Sequence, residues 1–281
     1  MYLNYRNKWF DTPPYRPLNR VFVPRNWRLN NMPRANRIYC PGQVWHITHR
    51  CHQREFLLRF LRDRRRWRHW LFEAKRRYGL SVLNYVVTCN HIHLLCADRG
   101  SDEIPHSLQL IEGRVAQEFN LRKKRRGAFW EDRYHATAVQ SDGHLTRCLT
   151  YIDLNMVRAR AVGHPREWEV SGYNEIQHPP RRRRIIDFLA LFRLVGAETH
   201  AELASMQEAS MLAEIGKSRR VAAWTESVAV GDEAYLQQLK VDLRLGNAKR
   251  KVQTEDGYRT LREPRSEYRP ISGTKTPVLT S

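Results

Sequence analysis

No two cysteines of this chain are spaced C-x-x-C, and the set Cys40, Cys51, Cys89, Cys96 and Cys148 is odd in number. That pattern offers neither a disulfide framework nor a zinc ribbon, and leaves reduced, mostly buried thiols as the reading. Long apolar runs are missing too. None approaches the roughly 20 residues that a membrane-crossing helix needs, and residues 1–30 lack the apolar h-region of a signal peptide. The expectation is a soluble, cytoplasmic protein with no membrane partner. Acidic residues are in deficit: Asp+Glu 29 stand against Lys+Arg 49, for a formal net charge of +20. Such a surplus favours a polyanion, because neutralising phosphates releases counterions. An anionic membrane surface would accept the same charge. With 41% hydrophobic residues, the chain can still build a core.

Residues 1–36 carry Pro13, Pro14, Pro17, Pro24 and Pro33 among Arg, Asn and aromatic residues, and read as a basic irregular arm. Contact with nucleic acid, disorder and a start at Met32 all fit it. Gln43 to Arg50 alternates like a strand after a Pro41-Gly42 turn. From Phe56 to Tyr78, Phe60, Trp67, Trp70, Leu71, Ala74 and Tyr78 recur at helical spacing, opposite a row of Arg from Arg62 to Arg68, with Gly79 as the stop. Ser81 to Ala97 is apolar and β-branched, and reads as a strand pair or one bent strand. Ser101 or Asp102 could cap a second helix with Leu108, Ile111, Val115 and Phe119 as its buried stripe. That helix ends in the basic loop Arg122 to Gly127. Ala128 to Val139 reads as a strand, and Ser141 or Asp142 could cap a third helix running to Ala161. Strands alternating with long helices predict an α+β domain with a central sheet over residues 37–178. Residues 179–245 read as a helical C-terminal extension that opens with Pro179-Pro180 and the linker Arg181 to Arg184, and 246–281 as a disordered tail.

Two local patterns carry chemistry. In Asn90-His91-Ile92-His93-Leu94, strand alternation points His91 and His93 to one side, a natural half-site for a divalent metal. A pair of ordinary polar-face histidines fits the same spacing. In Tyr151-Ile152-Asp153-Leu154-Asn155-Met156-Val157-Arg158, helical periodicity groups Tyr151, Asn155 and Arg158 beside the apolar stripe Leu145, Leu149, Ile152 and Met156. A buried tyrosine with a hydrogen-bond partner is the plainer account of Tyr151 alone.

Together, Asn90-His91-Ile92-His93-Leu94 followed by Tyr151-x-x-x-Asn155-x-Val157-Arg158-Ala159 resembles the IS200-like tyrosine transposases, and looks closest to their REP-associated branch. The turn Pro41-Gly42, then His46 and Arg50 on the first strand, stand where that family has a Pro-Gly turn, a His and an Arg. Phe129 to Tyr134 resembles the strand before the family's tyrosine helix, and Trp224 to Gly231 a segment found downstream in several members. Thr88-Cys89 replaces a frequent Met-Pro, and Met156 and Arg160 replace a Pro and a Gly near the end of the tyrosine helix. These changes touch the helix end and leave the key residues in place.

The resemblance implies a histidine-hydrophobic-histidine nuclease on a ferredoxin-like antiparallel sheet with helices packed on it. It implies Mg²⁺ or Mn²⁺ held by His91, His93 and Asn155, the last where relatives often carry Gln. It implies Tyr151 as the nucleophile, cutting single-stranded DNA to a 5′-phosphotyrosine and a free 3′-OH that can be rejoined, on palindromes that fold as hairpins. A homodimer exchanging the tyrosine helix occurs among relatives and is compatible with this chain. Arg158 is placed to favour the phenolate, whereas Asp153 faces away from the Tyr151 stripe. Candidate DNA-contacting cations are Arg50, Arg62, Arg65, Arg66, Arg122, Lys123, Lys124, Arg125 and Arg158. Trp67, Trp70 and Trp130 could stack bases, with core packing the competing use of each. Three other readings stay open: a catalytically silent hairpin-binding protein on the same fold, a zinc site from Cys89, His91, His93 and Cys96, and an RNA-directed nuclease.

Overall fold

The computed structural model describes residues 42–141, 143–217, 219–242, 251–255 and 257–262. The basic arm at 1–36, Cys40, Pro41, Asp142 and residues 263–281 of the tail lie outside the described residues.

Six elements follow in the order β-α-β-β-α-β: β1 (Val44–Arg50), α1 (Leu61–Tyr78), β2 (Ser81–Val87), β3 (His91–Ala97), α2 (Glu103–Lys123) and β4 (His135–Val139). Their strands pair antiparallel in the order β2-β3-β1-β4. This is an α+β, ferredoxin-like sheet, as the sequence resemblance implied. Further helices and strands follow: α3 (Gly143–Asp153), α4 (Asn155–Arg158), α5 (Gly172–Gln177), α6 (Phe188–Val195), α7 (His200–Glu214), α8 (Ala223–Glu226), β5 (Ala229–Val230), α9 (Glu233–Asp242), β6 (Lys251–Glu255) and β7 (Tyr258–Arg262).

Alternation along β2 separates the two helical layers. Tyr85 packs beside Trp67 of α1, while its neighbour Asn84 bonds Asp153 of α3; adjacent strand residues point to opposite faces. The α1–α2 layer therefore covers one face, and α3, α5 and α7 the other. Trp67, Leu71 and Ala74 of α1 are buried against the sheet, and Gly79 closes the helix in the left-handed conformation at φ 72. Where α5 starts, Gly172 lies so close to β2 that an added Cβ would stand 2.2 Å from Asn84 Oδ1.

Several boundaries differ from the sequence reading. Helix α1 starts at Leu61 rather than Phe56, because the preceding segment is tied to the β2–β3 turn: the Leu58 amide donates to the Cys89 carbonyl, and Leu58 is buried. Strand β4 begins at His135 rather than Ala128, because Phe129 packs into the core against Phe119 and Trp130 stacks on His49. Asp102 makes no side-chain cap on α2; instead Glu103 accepts from the Arg99 and Ser101 amides. The tyrosine helix is not continuous to Ala161: it breaks at Leu154 (ψ 4) between α3 and α4. The C-terminal extension is mostly helical, but it also lengthens the sheet. β5 pairs parallel with β4, β7 pairs with β5, and β6 with β7, so a hairpin stands within the region read as a disordered tail.

Candidate active site

His91 and His93 stand two residues apart on β3, and α3 and α4 bring Tyr151, Asn155 and Arg158 over the same end of the sheet. All five line one cleft of about 840 Å³, together with Arg50, Arg54, Arg133 and Arg220. The ring centroids of His91 and His93 are 5.0 Å apart, and those of His93 and Tyr151 6.0 Å. The break at Leu154 does not scatter the helical group. Arg158 donates to the Tyr151 carbonyl at 2.6 Å, and its guanidinium carbon lies 3.9 Å from the centre of the Tyr151 ring.

Hydrogen bonds decide which imidazole nitrogens face the cleft. The Trp224 carbonyl lies 2.9 Å from His46 Nδ1, and a carbonyl can only accept, so that nitrogen carries the proton. Burial lowers the His46 pKa to about 3, so the ring is neutral and its Nε2 is bare. His93 Nδ1, 2.8 Å away, must then donate to it. His93 is itself held neutral, its pKa pushed well down by burial and by the neighbouring His46 and His91. Its Nε2 therefore presents a lone pair, which accepts from Asn155 Nδ2 at 2.9 Å. His91 is fixed separately. Asn90 Nδ2 donates to the Arg54 carbonyl, which turns Asn90 Oδ1 toward His91 Nδ1 at 2.8 Å. His91 Nδ1 donates there and its Nε2 is bare; burial, with Arg50 and Arg158 nearby, lowers its pKa to about 4.

Two bare imidazole nitrogens beside a carboxamide form a donor set that suits Mn²⁺ well and Mg²⁺ tolerably, with positions left for water and phosphate oxygen. The zinc alternative is not assembled. Cys96 lies on the opposite face of β3, buried within reach of the Trp45 carbonyl, and no group of three His, Cys, Asp or Glu suited to a metal occurs among the described residues.

Burial raises the Tyr151 pKa, and Arg158 pulls it back down. The tyrosine is also a partition: with Arg158 it lines a second cavity of about 470 Å³ that includes Arg147, Trp224 and Tyr258. Asp153 points away as expected, accepting from Asn84 and Gln207, and burial raises its pKa to about 7.

Of the candidate DNA-contacting cations, only Arg50 and Arg158 reach this cleft. Arg65 pairs with Glu169, Arg66 with Glu118, Arg122 with Asp63 and Arg125 with Glu55. Arg62 lines the α1–α2 groove on the other face of the sheet, and Lys123 and Lys124 are exposed at the end of α2. Trp67 and Trp70 are core residues. His46 was visible in the sequence only as a position shared with the family. Its bond to residue 224 and the approach of Arg220 had no local signal.

Residues 42–155 match the family described as Transposase IS200 like. The matched segment holds His91, His93, Tyr151 and Asn155. Among solved structures, the chain is similar to a REP-associated tyrosine transposase bound to a REP hairpin, with 21% identity, 51% of this chain and 84% of that one covered, and a TM-score of 0.43. It is also similar to a candidate transposase of Deinococcus radiodurans R1, with 17% identity, 38% and 86% covered, and a TM-score of 0.31. No curated protein matches the chain. No helix among the described residues is long and apolar enough to cross a membrane.

Proposed function

We propose that this protein cuts and rejoins single-stranded DNA through a 5′-phosphotyrosine on Tyr151, with Mg²⁺ or Mn²⁺ held by His91, His93 and Asn155. The observation that carries the reading is the pair of bare Nε2 atoms set beside a tyrosine and an arginine in one cationic cleft. Residues 37–178 are the catalytic domain on this reading, with 179–245 an extension that supplies the Trp224 carbonyl.

A bound divalent metal would make the scissile phosphorus more electrophilic and hold its oxygens for in-line attack. Tyr151 Oη attacks phosphorus, the bond from phosphorus to the 3′ oxygen breaks, and the 3′ oxygen leaves as a hydroxyl. The phosphate stays on the tyrosine at the 5′ end of the downstream strand. Attack by a second 3′-OH reverses the step and needs no ATP. A phenol with an ordinary pKa near 10 is a weak nucleophile at neutral pH. Arg158, against the ring, favours its anionic form. Arg50 and Arg54 receive the neighbouring phosphates. Asn155 donates from its amide nitrogen to His93, and the same carboxamide carries the oxygen that would serve as a ligand.

The substrate class follows from the motif resemblance: a palindrome folded as a hairpin with an unpaired flank. The test is cleavage of such hairpins in single-stranded DNA, in duplex DNA and in RNA, with Mn²⁺ and with EDTA. The reading predicts metal-dependent cutting of single-stranded DNA alone. Tight hairpin binding with no cutting in any metal would reassign the protein as a silent DNA-binding member of the fold.

A further inference from the structure

The tryptophans that could have stacked bases are already engaged: Trp67 and Trp70 are buried, and Trp130 stacks on His49 and meets Phe129 edge-on. Two phenylalanines are turned outward instead, Phe56 at 65% and Phe60 at 57% exposure. A single exposed ring is ordinary; these two lie four residues apart in a segment that also holds Arg54 and Arg59. Both sit on the loop that leaves the cleft. Arg50 and Arg54 line the cleft, and Phe56 follows Arg54 by two residues, at most about 7 Å of chain. The loop is pinned beside the histidines, Arg54 by Asn90 and Leu58 by the Cys89 carbonyl. Phe60 has the Arg59 guanidinium 5.9 Å and the Lys123 ammonium 5.4 Å from its ring centre. Lys123 begins the exposed basic end of α2.

We infer that this loop is a second DNA-contact surface, where Phe56 and Phe60 stack unpaired bases of the strand leaving the cleft, and Arg59 and Lys123 hold the phosphates between them. The inference rests on the proposed function and gives the strand a direction out of the site. Charge selects the partner: exposed flat rings, one of them flanked by two cations, suit a polyanion with accessible π faces, which an unpaired strand offers and a paired duplex does not.

The test compares the full chain with its Phe56→Ala, Phe60→Ala double variant, measuring Kd for a hairpin carrying an unpaired flank and for the same DNA with single abasic sites in that flank. Both side chains are exposed, so the variant keeps its core, and Phe60→Trp serves as the aromatic rescue. The expected result is a weakening of about 5- to 100-fold per stacked base, an unchanged salt slope, recovery by Phe60→Trp, and no further loss from abasic sites in the double variant. Lys123→Gln should instead lower the salt slope by about one. Unchanged Kd in the double variant overturns the inference, as does a variant that alters only the oligomeric state, which would mark a protein interface. Tyr151 adduct formation at saturating DNA is read alongside. Adduct with unchanged Kd sinks this inference alone, whereas no binding and no adduct in the unaltered protein sinks it together with the function it rests on.

Discussion

His46 Nε2 lies 2.8 Å from His93 Nδ1, and through that bond a cleft-facing imidazole on β3 is tied to the Trp224 carbonyl in the C-terminal extension. The extension thereby selects the tautomer of His93. His46→Phe keeps an aromatic ring of similar size but removes the acceptor. A partner hydrogen bond of this kind is worth 10- to 100-fold in metal affinity, so Mn²⁺ affinity measured by calorimetry should fall by about that factor. The orphaned buried groups should also lower stability by about 1–3 kcal/mol. An unchanged Mn²⁺ affinity would remove His46 from the account.

Arg158 opposes the upward push that burial gives to the Tyr151 phenol. Arg158→Gln leaves burial in place and removes the cation, so the phenol pKa rises further. The rate of adduct formation followed against pH should therefore shift its rising limb to higher pH, with a lower rate at neutrality. A limb that stays in place would mean that Arg158 acts only on the DNA or on the Tyr151 carbonyl.

Gly172 allows α5 to touch β2, where an added methyl would press on Asn84 Oδ1 and lie 3.0 Å from the Tyr85 amide nitrogen. Backbone cannot yield easily there, so Gly172→Ala should cost about 1–3 kcal/mol, read as a lowered denaturation midpoint in urea. Because Asn84 also holds Asp153 at the end of α3, slower adduct formation should accompany the loss. A midpoint equal to that of the parent protein would show that the contact relaxes freely.

Glu175 accepts from the Ile185 and Ile186 amides and from the Tyr85 hydroxyl, and burial still raises its pKa above the ordinary carboxyl value. A carboxyl raised on folding favours the folded state fully below its unfolded pKa and loses that contribution as pH rises through the folded value. Thermal midpoints taken from pH 4 upward should thus fall more for the parent protein than for Glu175→Gln. Parallel curves would show that the hydrogen bonds fully offset burial.

The parts of the site that were legible in the sequence are those set by local periodicity. The two-residue repeat of a strand aligns His91 with His93, and one helical turn aligns Tyr151 with Asn155, even across the break at Leu154. The relay from His46 to Trp224 joins residues 178 apart, which no local pattern encodes. The Arg row of α1 reads in sequence as one wall of a DNA groove, but periodicity does not say which side of the sheet a helix covers, and that side is opposite the cleft. The β6–β7 hairpin has no clear sequence signal because β6 is mostly exposed and the two buried residues of β7, Thr260 and Leu261, are adjacent rather than alternating; its place in the sheet comes from pairing with β5.

The most direct test of the central claim is a mass spectrum. Protein is incubated with single-stranded hairpin DNA and Mn²⁺, trimmed with nuclease and digested with trypsin, which releases Cys148 to Arg158 with Tyr151 as its only tyrosine. The account predicts that this peptide carries a nucleotide joined through its 5′ phosphate to Tyr151, and that the modification vanishes with EDTA or in Tyr151→Phe. A covalent nucleotide on any other residue, or DNA cut with this peptide unmodified, would contradict it.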